Sequence, residues 1–347
     1  MADSRTYLTN LFAGDMPGHA IIMSPPVQAQ PEPGDVTTSR RPIGEWVDRG
    51  LRTYEAQVAY HEATGDDSVP YAPIQTGTQL FAAAFGCPVH VYEDSNPCAL
   101  PLVETAKEAD DLGVPGVEEG PLGRALEYGR LLADRLGPDV PIGVPDIQSP
   151  FDIAALIWRK EQLYLAIMDE PDAGRRLVAK CQRLLEAFID RFLEEFAQAN
   201  LCHCPQAWAP PELGIWLSED EAGAMSTPMF EEFCLPSLAL LSRRYGGMFL
   251  HCCADADHQH ESFRRIPNLR AMNRVFTGPP QDTIRDFTPG TVLMVAWTGL
   301  EGCLDLLSMA EPGTRFLFNM PEEPLEDARR THDRLREACL THASMAP

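Results

Sequence analysis

Apolar residues follow a helical spacing through the middle of this chain. After Pro171 they recur at steps of three and four, which predicts one long helix with a single buried face. Its apolar positions are Leu177, Cys181, Leu184, Leu185, Phe188, Phe192 and Phe196. The preceding stretch LGRALEYGRLLADRLG is amphipathic in the same way and ends in Gly, and FDIAALIWRKEQLYLAIMDEP is predicted as one helix closed by Pro171.

The C-terminal half has a different pattern, in which short apolar runs are separated by amphipathic stretches. The predicted strands there are MFLHCC, LRAMNRV, TVLMVAW and RFLFNM, and PIGVPDIQSP, earlier in the chain, is predicted as a short strand that runs into a loop. The predicted helices are TPMFEEFCLPSLALLSRRYGG, which is continuous despite Pro236, LEGCLDLLSM and PLEDARRTHDRLREACLTH. Strands that alternate with helices predict a parallel sheet covered by helices.

The alternation and the length of 347 residues favour an α/β fold, specifically a (β/α)8 TIM barrel. An open Rossmann sheet is disfavoured, because no Gly-rich dinucleotide fingerprint follows any predicted strand. We expect residues 1–347 to form a single barrel domain, with 1–70 as N-terminal decoration and the first-strand region. HAIIMSP and PYAPIQT both qualify as the first strand, and the Pro-rich residues 24–42 are predicted to be an irregular loop.

Charge limits the partners of this chain. Lys and Arg number 28 against 51 Asp and Glu, which gives a formal net charge of −23. Nucleic acid and anionic membrane both require clustered basic residues, so neither is expected as a partner. The sequence shows neither a secretory signal nor an apolar run of about 20 residues. We therefore expect a cytoplasmic protein that acts on a small molecule and keeps its ten cysteines reduced.

Candidate chemistry is concentrated in GGMFLHCCADADHQH, residues 246–260. Strand alternation places His251 and Cys253 on one face and Cys252 on the other. At the C-terminal end of a barrel strand, one of these faces is directed into the active-site mouth. Imidazole and thiolate are both zinc ligands, but a zinc site needs a third ligand. The alternative is a hydrogen-bonded core histidine beside a buried thiol.

Further candidates lie at other predicted strand ends. For the third metal ligand we place Glu221 first, then Cys303, then Cys204. Glu221, Asp220 and Asp146 are also candidate catalytic acids or bases. The predicted substrate pocket consists of Gln148, Trp208, Asn273, Trp297 and Asn319. For each of these, the alternative is a side chain that only packs at the end of a strand.

The stretch GIWLSEDEAGAMSTPMFEEFCLPSL, followed by MFLHCCAD, resembles the uroporphyrinogen decarboxylase superfamily, which includes zinc-dependent, corrinoid-linked methyltransferases. AAAFGCPVHVYED and IPNLRAMN are also similar, so the resemblance extends through most of residues 70–335. It implies a (β/α)8 barrel with its active site at the C-terminal mouth. A homodimer is also common in this superfamily.

Differences in the motifs favour the methyltransferase-like branch. The arginine motif of true uroporphyrinogen decarboxylases is replaced by HAIIMSPPVQAQ, which contains no arginine. Tyr71 and Ala72 stand where the catalytic acid is expected. The methyltransferase branch implies zinc that binds a substrate thiol, with a corrinoid carried by a partner protein. Its third ligand is a Cys on the last strand, where this chain has Asn319 or Met320.

The expected function is therefore zinc-assisted methyl transfer to or from a small thiol, with His251, Cys253 and Cys303 among the metal ligands. Two alternatives stay open at this point. One is a decarboxylase, or lyase, acting on a carboxylated substrate without the usual arginine motif. The other is a non-catalytic binding protein that has kept the barrel.

Overall fold

The structure is a computed structural model that describes residues 4–26, 32–274, 278–296 and 298–345. Its strands are β1 (Ala20–Ser24), β2 (Ala72–Pro73), β3 (Val89–His90), β4 (Cys98–Ala99), β5 (Ile142–Gly143), β6 (Ala199–Asn200), β7 (Ile215–Ser218), β8 (Met248–Cys252), β9 (Leu269–Arg274), β10 (Val292–Ala296) and β11 (Phe316–Glu322).

The helices are α1 (Ser4–Ala13), α2 (Ile43–Thr64), α3 (Leu80–Ala84), α4 (Ala106–Asp111), α5 (Gly120–Leu136), α6 (Pro150–Ile157), α7 (Lys160–Asp169), α8 (Pro171–Glu195), α9 (Thr227–Phe233), α10 (Leu235–Tyr245), α11 (His260–Phe263), α12 (Pro280–Phe287), α13 (Leu300–Ser308) and α14 (Leu325–Met345). None of these helices combines the length and apolar composition needed to cross a lipid bilayer.

Two parallel sheets form the barrel. One has the strand order β1-β11-β10-β9-β8-β7 and the other has the order β2-β5-β6. They meet where Gln148, just beyond β5, forms a parallel bridge with Ser218 of β7. Between β1 and β2 the described residues form no ladder; the backbone N–H groups of Ile21 and Met23 donate to the carboxylates of Asp67 and Asp66 instead. The predicted α/β fold with a parallel sheet is confirmed, and the two sheets are consistent with a TIM barrel that no ladder of the described residues closes between β1 and β2.

Strand alternation separates an inner core from an outer one. Trp216 and Phe249 lie inside the ring, where their rings stack with centroids 5.4 Å apart, and Phe12 of α1 packs edge-on against Phe249. Leu217 and Leu250 point outward into the larger core beneath the helices. The next inward positions on β7, β8 and β9, towards the C-terminal ends of the strands, are the polar residues Ser218, His251 and Asn273. The barrel therefore changes from an apolar interior to a polar mouth.

The segment between β6 and β7 returns through the barrel interior. Ala207, Trp208 and Ala209 are buried with Trp216 and Phe249 in the inner core. The buried side chain of Asn200 holds this return segment, because it donates to the carbonyl of Ala207 and accepts from the N–H groups of Cys202 and Ala209. Residues 201–214 thus fill the space beneath the mouth.

Two helices predicted to be continuous are broken. Trp158 separates α6 from α7, because it forms a parallel bridge with Val103 and its side chain is fully buried. Cys234 separates α9 from α10, so that Pro236 lies in the first turn of a new helix, where its missing N–H is tolerated.

Both segments that qualified as the first strand contain a strand in the structure. HAIIMSP contains the first strand, β1, and PYAPIQT contains the second, β2. Of the predicted loop 24–42, Ser24 belongs to β1, residues 25, 26 and 32–42 form neither helix nor strand, and 27–31 lie outside the described residues.

Candidate metal centre and mouth cavities

The end of β8 brings an imidazole and a thiol together. His251 Nε2 lies 2.8 Å from Cys253 Sγ, and His251 is only 2% exposed. Cys252 points to the other side of the strand and is fully buried in the outer core. The prediction that His251 and Cys253 share one face while Cys252 packs outward is confirmed.

Asp220, just beyond β7, completes a three-residue cluster. The potential ligand atoms of Asp220, His251 and Cys253 all lie within 4.8 Å of one another. The carboxylate of Asp220 also accepts a hydrogen bond from the backbone N–H of Cys253, with its Oδ1 2.6 Å from the nitrogen. One oxygen, one nitrogen and one sulfur donor therefore converge at the ends of two paired strands.

Asn273, at an inward position of β9, orients the imidazole. Its Nδ2 donates to the carbonyl of Met294, so its Oδ1 is the atom that faces His251 Nδ1, at 2.5 Å. His251 then carries its proton on Nδ1 and directs the lone pair of Nε2 towards Cys253. Burial lowers the pKa of His251, which favours the neutral form that a metal requires.

Replacing Asn273 with Ala is expected to weaken zinc binding by about 10- to 100-fold, because the imidazole loses the group that sets its tautomer and direction. Competition with a chromophoric chelator measures this affinity. Asn268→Ala serves as the control, because Asn268 lies just before β9 and is exposed to solvent. This substitution should leave the zinc affinity unchanged. Equal effects of the two substitutions would contradict the orienting role of Asn273.

Two buried acids lie behind the cluster. The carboxylate of Asp152, on α6, accepts from the backbone N–H groups of Asp220 and Glu221 at 2.7 and 3.0 Å, and this fixes the turn after β7. Glu219 is fully buried beside Ser149 and Asp152, yet neither of its oxygens has a hydrogen bond of good geometry among the described residues. Burial raises the pKa of Glu219 to about 7 and holds that of Asp152 well above its usual range.

Neither of the first two choices for a third ligand belongs to the cluster. The carboxylate of Glu221 is bound by Lys160 Nζ at 2.5 Å and by the hydroxyl of Tyr164 at 2.9 Å, so it is directed towards α7. Cys303 is buried in α13, where its Sγ lies 3.9 Å from Met320 Sδ. The third potential ligand in the described cluster is Asp220, which lies beside His251 and Cys253 where Glu221 and Cys303 do not.

Two cavities open at the mouth. The first mouth cavity, of about 410 Å³, lies between the ends of β1 and β11, and Asn319 is part of its wall. The second mouth cavity, of about 270 Å³, lies beside the ends of β2 and β5, and Asp146 and Tyr71 are part of its wall. The two cavities share the residues Arg49, Gln75, His203, Cys204 and Gln206.

The loop after β6 connects these cavities with the cluster. Cys204 Sγ lies 3.9 Å from His251 Nε2, on the side towards both cavities. His203 is buried next to it, where its Nε2 accepts from the backbone N–H of Ile147. Burial lowers the pKa of His203 to about 3, so this imidazole is neutral near pH 7.

The other predicted site residues are divided between the walls of the two cavities and the barrel interior. Asp146 accepts a hydrogen bond from Gln148 Nε2 at 2.7 Å, and burial raises its pKa to about 7. Asn319 donates to the carbonyl of Gln206 at 2.6 Å. Trp208 lies lower in the barrel, 7% exposed and under the guanidinium of Arg5. Trp297 lies outside the described residues.

Arg49 is the mouth residue that sequence reasoning missed. It is 4% exposed on α2, lines both cavities and donates to Gln75 Oε1 at 2.5 Å. The sequence carries a signal for it, because Arg49 lies three residues after the buried Trp46, on the apolar face of an amphipathic helix.

Comparison with known proteins places this site in a family. The solved structure of a methyltransferase from Methanosarcina mazei is similar to this chain, with a TM-score of 0.66 at 15% identity, and the match covers 96% of this chain and 99% of that chain. At this identity the likeness shows the fold. No curated protein matches the sequence. The family model described as Uroporphyrinogen decarboxylase (URO-D) matches residues 45–273, which include Arg49 and the three-residue cluster. The chain belongs to the uroporphyrinogen decarboxylase family.

Proposed function

We propose that this protein is a zinc-dependent methyltransferase that moves a methyl group to or from a small thiol. The observation that carries the proposal is the convergence of Asp220, His251 and Cys253 at the mouth of the barrel. The fold shared with a methyltransferase and the motif differences from true decarboxylases support it. A corrinoid protein as methyl donor and a homodimeric assembly are further parts of this proposal.

The donor set fits zinc. Catalytic zinc sites use three protein ligands from nitrogen, sulfur and oxygen, and they leave a fourth position for substrate. Ligand atoms that bind one tetrahedral zinc ion at about 2.0–2.3 Å lie roughly 3.5 Å from one another. The potential ligand atoms of Asp220, His251 and Cys253 all lie within 4.8 Å of one another, which is compatible with that separation. Zinc bound by these residues would lower the pKa of a thiol that occupies the fourth position.

The residues of the chain then have separate tasks. Asn273 orients His251, and Asp152 fixes the turn that carries Asp220. Asp146 lies in the second mouth cavity with a pKa of about 7, so it is suited to accept the proton that the thiol releases. The thiolate sulfur forms a bond with the methyl carbon while the bond between that carbon and its donor breaks.

Asp146→Asn is expected to lower kcat by about 10²- to 10⁴-fold, because the proton acceptor is lost. In the unsubstituted enzyme kcat/KM should rise as pH passes through about 7, since the carboxylate must be unprotonated to act, and this rise should be absent from the variant. Asp139→Asn, an exposed acid at the opposite end of the barrel, is the control and should keep both the rate and the rise. An unchanged pH profile in Asp146→Asn would contradict this role.

Decarboxylation is the second candidate, and the pKa of Asp146 is the observation that favours it. A carboxyl group that titrates near pH 7 is partly protonated under neutral conditions and can serve as an acid. In that reaction a carbon–carbon bond breaks, carbon dioxide leaves, and the carbanion takes the proton of Asp146. Decarboxylation needs no metal in this scheme, so it should survive treatment with a chelator.

The test of the proposed function has two parts. Protein purified without added metal is expected to contain about one zinc per chain by elemental analysis. With methylcobalamin as donor and a small thiol as acceptor, the zinc-loaded protein should convert methylcobalamin to its demethylated form, and chelation should stop the conversion. Far less than one zinc per chain, together with no effect of chelation, would contradict the methyltransferase proposal.

A further inference from the structure

We propose that Glu221 is a positioning residue for the metal cluster, and that Lys160 and Tyr164 of α7 act through it to fix the turn that carries Asp220. The inference rests on the proposed function, because the metal gives the position of Asp220 its importance. It assigns to α7 a task beyond packing on the barrel, since this helix holds one of the three proposed metal ligands in place. Glu221 does not bind the metal in this arrangement.

Asp220 needs support from outside the sheet. His251 lies within β8, where the ladders to β7 and β9 fix its backbone on both sides. Asp220 instead follows β7, two residues after Ser218, and belongs to no ladder of the described strands. Residues beyond the end of a strand are more mobile than residues within it. A metal site requires its ligand atoms to be held close to one geometry, so other contacts must fix Asp220.

The backbone of this turn is fixed from two neighbouring elements. The carboxylate of Asp152, on α6, accepts from the N–H groups of Asp220 and Glu221 at 2.7 and 3.0 Å. In addition, the buried side chain of Gln259, just before α11, donates to the carbonyl of Ala222 at 3.2 Å. These bonds hold the peptide groups of the turn, and they leave the side chains of Asp220 and Glu221 to be directed by other contacts.

The side chain of Glu221 supplies the anchor on α7. Its Oε1 lies 2.5 Å from Lys160 Nζ, and its Oε2 accepts from the hydroxyl of Tyr164 at 2.9 Å, so both oxygens are held. The Glu221 side chain is only 12% exposed, so solvent weakens these charge-assisted hydrogen bonds less than those of a surface pair. Glu221 directly follows Asp220, whose Oδ1 accepts from the N–H of Cys253. The two side chains therefore hold the peptide unit between them at both ends.

The two groups on α7 have different tasks. The end of β7 is followed by three successive acids, Glu219, Asp220 and Glu221, whose charged forms repel one another. Lys160 places a cation against the last of these and offsets that repulsion, but 55% of its side chain is exposed, so salt in the solvent weakens this contribution. The hydroxyl of Tyr164 is uncharged, and its hydrogen bond depends little on salt. Tyr164 should therefore set the direction of Glu221, and Lys160 its charge balance.

The test uses cobalt(II), whose absorption spectrum reports the ligands of a site that also binds zinc. Thiolate coordination gives a sulfur-to-metal charge-transfer band, and the d–d bands respond to the geometry of the whole ligand set. In Glu221→Ala the charge-transfer band should persist, because Cys253 still binds, while the d–d bands shift and the zinc affinity falls by about 10- to 100-fold. Glu212→Ala makes the same change at an exposed position before β7, and it should leave both the spectrum and the affinity unchanged.

Tyr164→Phe and Lys160→Met identify the route of the effect. Each should shift the d–d bands in the same direction as Glu221→Ala but by less, and adding Tyr164→Phe to Glu221→Ala should cause no further loss of affinity. Thermal unfolding shows which metal-free variants are folded, and where Glu221→Ala is not, Tyr164→Phe decides alone. An unchanged spectrum in the folded variants, or a change in Glu221→Ala that neither α7 variant shares, as expected if Glu221 itself bound the metal, overturns the inference alone. Failure of the unsubstituted protein to bind cobalt or zinc overturns the proposed function together with it.

Discussion

Cys253→Ser and His251→Ala are each expected to reduce bound zinc from about one per chain to less than about 0.1, and to abolish methyl transfer. Each substitution removes one of three protein donors, and the serine hydroxyl is a much poorer ligand than a thiolate. We expect the affinity to fall by more than about 100-fold, a larger loss than for a residue that only orients a ligand. Elemental analysis after dialysis, followed by chelator competition, measures the change.

Cys252→Ser is the matched control for this experiment. It makes the same chemical change one residue away, but its side chain is fully buried on the outer side of β8. Zinc content should stay at about one per chain, while the free energy of unfolding falls by about 1–2 kcal/mol, because a hydroxyl replaces a thiol in an apolar core. Loss of zinc in Cys252→Ser with retention in Cys253→Ser would show that the register of β8 is wrong.

The metal-free protein is expected to lose stability as pH rises from about 5 to 8, through the buried carboxyl of Glu219. Its pKa in the folded chain, about 7, lies above its value in the unfolded chain, so the folded state holds the proton more tightly. The stabilising contribution is therefore fully present below about pH 4.5 and is lost as pH passes through about 7.

Glu219→Gln isolates this effect, since the amide has the same shape and cannot ionise. Urea unfolding of both proteins at several pH values gives the difference in unfolding free energy, in which the opposite contribution of buried His203 cancels. This difference should shift by roughly 2 kcal/mol in favour of the variant between pH 5 and 8, and the shift includes the titration of Asp152, whose pKa the charge of Glu219 raises. A difference that stays constant across that range would show that Glu219 titrates normally.

Periodicity explains why much of the barrel could be predicted. The strands from β8 to β11 are short apolar runs, because both faces of a barrel strand are buried, and the sequence shows each of them clearly. The same alternation extends past β7, where Trp216 and Ser218 point inward and Asp220 follows at the next step of two. Applied to the residues after β7, this alternation selects Asp220 rather than Glu221, so the pattern could have predicted the third residue of the cluster.

Other features depend on contacts that no local pattern contains. The break at Trp158 follows from its bridge to Val103, which is 55 residues earlier in the chain. Arg49 reaches the mouth because α2 packs beside β2 and because Gln75 accepts its hydrogen bond. The turn that presents Asp220 is held by Asp152, from a helix 68 residues away. Each of these is a tertiary contact, and the sequence shows only the residue types that make it.

The return segment between β6 and β7 has a consequence for how relatives of this chain can diverge. Residues 201–214 form the floor of the mouth and carry His203, Cys204 and Gln206, whereas the three cluster residues follow β7 and β8. Insertions or deletions in this segment would raise or lower the floor while the cluster kept its place. The cavity floor and the three-residue cluster are thus encoded in separate parts of the chain, so the shape of the cavities can change while the cluster residues stay the same.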